Sequence, residues 1–417
     1  MKEIILDYGK SGHKIQLDRA DIFYPKQQAK LDSPQERIKE KLRNPDFGLS
    51  LKETLQGKCT VAIAHTDITR ATPNHIIIPA IIEELLACGI KESNIILVNM
   101  TGSHRAQTQQ ELADMLTRQV ASKYKCVQHN SFDLSTMTLV GNMADGHPLY
   151  INSEFFGADC KICTGFIEPH FFAGFSGGPK AILPGLADIA SIMRNHNAER
   201  IASPLATWGI TEGNPVWEDI KEGATLCPPN FLVNVALNLE GKISAIFTGQ
   251  WLETHKLGCE FVQAHAMQPV CKRYDTVIVT NSGYPLDINL YQCVKGMSTA
   301  AQIVKKDGNI IMVGECADGI PSASPYHNLL KSAVSPSELF EAIVSSKETL
   351  PEQWQVQIQT RIQKNATIYL FSTLSDTQVQ EALLLPCPDI ELLAKELGGS
   401  IAVLPKGPQT IPYIKEV

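Results

Sequence analysis

The chain has 417 residues, too many for one hydrophobic core, so two domains are expected. Its 44% hydrophobic and 19% charged composition fits a globular protein, and its net charge of −7 excludes the basic stripe that sequence-independent nucleic-acid binding requires. No apolar run reaches the length of a membrane span, and the start MKEIILDYGKSGHKIQLD has no signal-peptide pattern, so the cytoplasm is the expected address, with no membrane or nucleic-acid partner.

In chain order, EIILDYG and HKIQLD read as a β-hairpin around a glycine turn. A polar stretch from Tyr24 to Lys58 reads as loop and helix, and from Cys59 the pattern becomes strand then helix, repeated. CTVAIAH is a strand. Thr72 and Pro73 then read as N-cap and first residue of a helix that is apolar nearly all round and stops at Gly89. NIILVNM is the next strand, and Thr108 with Glu111 forms a capping box for QQELADML. Cys160 and Cys163 in DCKICTG have the spacing of a metal or redox pair. No second pair accompanies them, and the context reads as a buried strand end. The remaining nine cysteines follow no pattern, and all eleven are expected to be reduced.

A second alternating series begins near Arg273. DTVIVTN and NIIMVGE read as strands, Asp287 as the cap of the helix through INLYQCVKGMSTAAQIV, and Ser335, Pro336 and Glu338 as a further helix start. TIYLFS and SIAVLP read as late strands, with DIELLAKELGG a helix ended by glycine. The fold class is therefore α/β, with two α/β domains and mostly parallel sheets. The expected division is 1–270 (cofactor-binding), 275–402, and a tail 403–417 that could return to the N-terminal domain.

In such sheets ligands bind beyond the carboxyl ends of the strands. Two polar clusters fall there: Asp67 and Arg70 in TDITR, and Thr101, Gly102, His104 and Arg105 in TGSHR. An arginine on such a loop suits a carboxylate or phosphate, because its planar fork makes two parallel hydrogen bonds. The plainer alternative is an Asp67–Arg70 ion pair across one turn. His104 and His170 read either as acid/base groups or as structural imidazoles. The segment EPHFFAGFSGGPKAILPG, 168–185, lacks the spacing of a phosphate loop. Its Gly177 and Gly178 permit close backbone approach to a ligand, and Lys180 stands between Pro179 and Pro184. With His196 further on, the group points to a cofactor or metal, and by chemistry alone a Schiff-base lysine ranks first. Tyr291, Gln292 and Lys295 lie within about one helical turn, where a solvated face is the usual reading. Phe171, Phe172 and Phe175 could line an apolar pocket or belong to the core.

DITR, TGSHR, EPHFFAGFSGGPKAILPG, the Asn195–His196 pair and YQCVKG, in this order, together resemble the nickel-pincer lactate racemase family. The resemblance implies a 2-hydroxy acid racemase or epimerase that works by reversible hydride transfer through a 2-keto acid. It implies nickel and a pyridinium-3,5-bisthiocarboxylic acid mononucleotide, attached as a thioamide to Lys180, with His196 as the nickel ligand from the protein. His104 and His170 then match the two acid/base histidines. Arg70, Lys295, Gln292 and Asp67 match substrate-handling and supporting positions, Asp67 as an orienter. Tyr291, Trp354, Gly177 and Gly178 fall at cofactor-binding positions. The site is expected in the interdomain cleft. The implied partners are a small 2-hydroxy acid and cofactor-biosynthesis proteins. Three other readings stay open at this point: malate, aromatic, longer aliphatic or sugar acids as substrates; a cofactor carrier without catalysis; and a pyridoxal-phosphate enzyme built on Lys180.

Overall fold

The structure, a computed structural model, describes residues 2–321 and 324–415. Contacts divide the chain into two compact units. The first comprises Gln27–Asn195 and Gly209–Gln263; the second comprises the described residues of Met1–Lys26, His196–Trp208 and Ala264–Val417.

The first unit is built on a six-stranded sheet in the order Ile243–Gly249, Phe231–Leu237, Cys160–Phe166, Val61–Thr66, Ile95–Met100, Lys125–Gln128. All neighbours are parallel except the pair Phe231–Leu237 and Ile243–Gly249. The central strands read as continuous apolar runs because both faces are covered, as parallel sheets require. On one face Ile63, Leu97, Ile162 and Val233 pack with Ile77, Ile81 and Leu85 of the helix Asn74–Ala87. Each of these fully buried side chains contributes about 1.5–3 kcal/mol relative to exposure. Val61–Thr66 and Cys160–Phe166 are adjacent, but the chain leaves them toward opposite edges of the sheet. That is a topological switch point, the place where an open sheet leaves a crevice beyond its carboxyl ends.

The second unit has a wholly parallel sheet, ordered Leu385–Pro386, Ala366–Phe371, Val304–Val313, Tyr274–Thr280, Ile401–Leu404, Asp21–Ile22. Its switch point lies between Tyr274–Thr280 and Ile401–Leu404, and the loop after the former leads into the helix Leu290–Ala301.

The α/β class and the two mostly parallel sheets agree with the sequence reading, but the linear division of the chain does not. Residues 2–26 join the second unit, because Asp21–Ile22 adds an edge strand there. The hairpin Lys2–Leu6 with His13–Leu17 also buries Ile4, Leu6, Ile15 and Leu17 against Ile278, Ile311 and Val403. The tail stays with the second unit instead of returning to the first, since Ile411–Ile414 pairs in parallel with Met267–Val270. The segment His196–Trp208 also belongs to the second unit, where the Trp208 indole N–H donates to Ser298 Oγ at 3.0 Å.

Local punctuation is mostly as read. Thr108–Glu111 is a complete capping box, and Ser335 accepts from the Glu338 N–H. Two caps differ. Pro73, not Thr72, occupies the N-cap position of Asn74–Ala87, and no side chain caps it. Asn289, not Asp287, caps Leu290–Ala301, accepting from the Gln292 N–H at 3.1 Å. Asp287 is committed elsewhere: its Oδ2 accepts the N–H groups of Gly9 at 2.7 Å and Glu315 at 3.0 Å. Cys160 and Cys163 lie in a strand with odd spacing, so their side chains point to opposite faces and cannot form one site. Both are buried, which pushes their thiols above the ordinary cysteine value. Among the described residues, no helix is long and apolar enough to cross a membrane.

Candidate active site

The first unit's switch point sets its polar loops. Asp67 follows Val61–Thr66 directly, and His104 follows the neighbouring parallel strand Ile95–Met100. Strands in register end together, so their two loops meet. Backbone bonds fold them back: Arg70 N–H to Asp67 O at 3.2 Å, and His104 N–H to Thr101 O at 2.9 Å. The Thr101 hydroxyl is held by His129 O at 2.6 Å.

Within this corner His104 Nδ1 lies 2.7 Å from Asp67 Oδ2, and the Thr69 hydroxyl donates to Asp67 Oδ1 at 2.7 Å. The Asp67 side chain is 2% exposed and that of His104 is 44% exposed, so the carboxylate is the fixed anchor and the imidazole its outward face. Burial alone would raise the Asp67 carboxyl. The His104 hydrogen bond and charge, Arg70 and Thr69 outweigh it and hold the group below its ordinary value. An ionised Asp67 accepts the Nδ1 proton, which leaves His104 Nε2 as the basic nitrogen. The Asp67–Arg70 ion pair is not formed. Arg70 is exposed and, among the described residues, its guanidinium has no hydrogen-bond or ion-pair partner, so it stands ready for an external anion. Arg105 is already used, in a two-toothed bond to Glu111 at 2.8 and 2.6 Å.

The segment 168–185 follows the other switch-point strand, Cys160–Phe166. Pro169–His170 and Gly174–Phe175 form a minimal hairpin. His170 Nδ1 accepts the Ala173 N–H at 3.2 Å, and the Phe172 ring meets the imidazole edge-on at 4.5 Å. Phe171, Phe172 and Phe175 are buried, with Phe171 and Phe172 packed against the His170 ring. Lys180 sits in the 3-10 turn Gly178–Ala181 with Nζ 5.8 Å from the Phe172 ring centre.

Three residues that the sequence reading passed over hold this turn. Asn234 Oδ1 accepts the Gly178 N–H at 2.7 Å. His255 Nε2 lies 2.9 Å from Ser176 O, and the His255 ring stacks on Trp217 at 4.9 Å. Asn234 was detectable as the one polar side chain inside the buried strand FLVNVAL; nothing in the sequence around His255 marks it.

The second unit gathers the rest. His196 is buried, with its ring edge-on to Trp354 at 4.9 Å. The helix Gln353–Gln363 that carries Trp354 also fixes its surroundings. Gln357 donates to Ala198 O at 2.7 Å, Arg361 to Ile201 O at 2.7 Å, and Gln355 to Tyr291 O at 2.6 Å. Tyr291, Gln292 and Lys295 project from the first turns of Leu290–Ala301, all half-buried, so the face is not the freely solvated one that their spacing suggests. Among the described residues, no three His, Cys, Asp or Glu side chains form a metal-ligand cluster.

Comparison with known proteins agrees over almost the whole chain. The family model "Lactate racemase N-terminal domain" matches residues 8–209, and "Lactate racemase C-terminal domain" matches 270–396. The curated lactate racemase of Thermoanaerobacterium thermosaccharolyticum is 35% identical over 374 residues, covering 89% of this chain and 85% of the relative. That of Lactiplantibacillus plantarum is 37% identical over 346 residues, covering 82% and 81%. The solved lactate racemase apoprotein from T. thermosaccharolyticum superposes with a TM-score of 0.93 at 34% identity over 100% of both chains. A Thermotoga maritima crystal structure, at 18% identity and TM-score 0.69 over 94% of this chain and 100% of its own, shares the fold.

Proposed function

This chain belongs to the lactate racemase family, and on that premise we propose that it is an isomerase interconverting the enantiomers of lactate or a related 2-hydroxy acid through a 2-keto acid. The observation that carries the reading is the Asp67–His104 pair at 2.7 Å, with the exposed Arg70 guanidinium on the same loop as Asp67.

Inverting C2 requires breaking its bond to hydrogen. Removing that hydrogen as a proton would place negative charge beside an ionised carboxylate. Removing it with its electron pair while the hydroxyl loses a proton gives a neutral ketone at C2. The residues needed are then a carboxylate clamp and a base for the hydroxyl. Arg70 and Lys295 serve as the clamp, with Gln292 as a neutral hydrogen-bond partner. His104 Nε2 takes the hydroxyl proton from one enantiomer, and Asp67 stabilises the imidazolium that results. His170 serves the other enantiomer, whose hydroxyl points elsewhere. The clamp also retains the planar keto acid long enough for either face to be presented.

The residues present fit the cofactor that the family resemblance implies. Lys180 offers an amine in a turn of small residues, and the His196 imidazole is a ligand type suited to nickel. A single protein ligand at His196 is compatible with a group that brings its own donors to the metal. Tyr291, Trp354, Gly177 and Gly178 are the further residues proposed to hold the group. When bound, the nickel-pincer nucleotide supplies a reversible acceptor for the C2 hydrogen and its electron pair.

The test is a panel of single-enantiomer 2-hydroxy acids incubated with nickel-loaded protein and resolved by chiral chromatography. Inversion of lactate or a close relative supports the reading. Retention of configuration across the whole panel, with nickel and cofactor bound, would leave a carrier and overturn it.

A further inference from the structure

Lys180 follows two glycines that no other residue type could replace without movement. Gly177 has φ +74° and Gly178 has φ +52°, both in the left-handed region. A Cβ on Gly178 would lie 2.2 Å from His255 Cδ2, and one on Gly177 would lie 2.7 Å from Asn234 Oδ1. The backbone is therefore pressed against two particular side chains. Both also bond to it: Asn234 Oδ1 takes the Gly178 N–H, and His255 Nε2 meets Ser176 O. Ser176 is itself pinned, its hydroxyl donating to Phe166 O at 2.9 Å and accepting from Glu168 N–H at 2.9 Å.

Neither partner is free to drift. Asn234 is fully buried in the strand beside Cys160–Phe166, in register with Gly165, and its Nδ2 donates to Val233 O at 3.0 Å. His255 is 1% exposed, stacked on Trp217, with Cys259 Sγ 3.4 Å from its Nδ1. Burial, and secondarily the nearby Lys180 charge, push the imidazole down to about 4, so it is neutral at physiological pH. With Nε2–H donated to the Ser176 carbonyl, Nδ1 is left as the acceptor for the Cys259 thiol.

We propose that Asn234 and His255 are positioning residues for Lys180: they clamp the Ser176–Gly178 backbone so that the lysine amine is presented in one orientation for covalent attachment of the cofactor. The attachment half of this rests on the reading of Lys180 given above. In that step the Lys180 amine adds to the carbon of one thiocarboxylic acid arm. A C–N bond forms, the C–O bond breaks, and oxygen leaves as water to give a thioamide, with no electron transferred. A pre-set turn raises the rate of this step by holding the nucleophile near its attack geometry, and it need not touch the reacting atoms to do so.

The experiment uses the full chain without cofactor, then with added nickel-pincer nucleotide. Hydrogen exchange of peptides spanning 174–182 is followed by mass spectrometry, and attachment is followed by intact mass. Asn234→Ala and His255→Ala should each raise exchange in this segment about tenfold or more and slow attachment by about the same factor. His255→Gln, whose amide N–H can still reach Ser176 O, should restore both, and it serves as the informative variant if His255→Ala does not fold. Lys180→Ala should abolish the mass gain and leave exchange unchanged. Wild-type exchange and wild-type attachment in Asn234→Ala and His255→Ala overturn the clamp. Wild-type protein that gains no mass at Lys180 overturns the reading of Lys180 instead, while exchange still decides the clamp.

Discussion

Replacing Asp67 by Asn tests the proton-handling half of the mechanism with almost no change of shape. Asp67 is 2% exposed and makes two side-chain bonds, to His104 Nδ1 at 2.7 Å and from Thr69 at 2.7 Å. When the asparagine carbonyl keeps the Thr69 hydroxyl that Asp67 Oδ1 accepts, its amide NH2 faces His104 Nδ1 and donates to it, which favours the imidazole proton on Nε2, where the base should be empty. The charge that stabilises the imidazolium is lost as well. The corresponding change in a Ser-His-Asp triad lowers kcat roughly 10⁴-fold. Because His104 is partly solvated, a loss of about 10³-fold is expected here, equal to about 4 kcal/mol of transition-state stabilisation. KM should change little, since the carboxylate is proposed to be held by residues other than Asp67. The Asp67 carboxyl lies below its ordinary value when folded, so its contribution is complete above about pH 4 and disappears as pH falls through the lower folded value. The wild-type acid limb should therefore change shape in the variant. Rates are read by chiral chromatography on loaded protein between about pH 4 and 9. A variant within tenfold of wild type, with the same pH profile, would refute the assignment.

His104→Ala and His170→Ala should each slow interconversion by at least about 10²-fold while nickel, measured by elemental analysis, stays bound. Gly178→Ala places a Cβ against His255 at a φ of +52°; a loss of about 1–3 kcal/mol is expected in urea unfolding, and an unchanged midpoint would mean that the turn is soft. His65 and His255 are both pushed down to about 4 by burial. The unfolded chain takes up these protons first, so their stabilisation is complete above about pH 6.5 and is lost progressively toward pH 4, up to a few kcal/mol in total. The urea midpoint should fall across that window, and a flat midpoint would contradict the neutral buried assignment.

The residues proposed to carry the chemistry stand out in the sequence because they sit where local signals are strong. Asp67, Arg70 and His104 directly follow apolar strands, and Lys180 stands out among glycines and prolines. Asp287 misled because an acidic residue before an apolar helix is a cap signal, whereas its actual partners, Gly9 and Glu315, are remote in sequence. The same distance hid the return of residues 2–26 to the second unit, which depends on a short edge pairing with Ile401–Leu404 and on hairpin side chains packing against Ile278, Ile311 and Val403. His255 and Gln357 act through single bonds to backbone carbonyls of other segments, a relation that spacing along the chain cannot encode.

The most direct measurement follows the fate of the C2 hydrogen. A 2-hydroxy acid deuterated at C2 is inverted by loaded protein in ordinary water, and the product enantiomer is analysed by mass. Retention of deuterium at C2 in the inverted product is predicted, because the hydrogen moves with its electrons and never mixes with solvent. Replacement of that deuterium by protium in every inverted molecule would mean proton abstraction at carbon, and would contradict the roles given to His104 and His170.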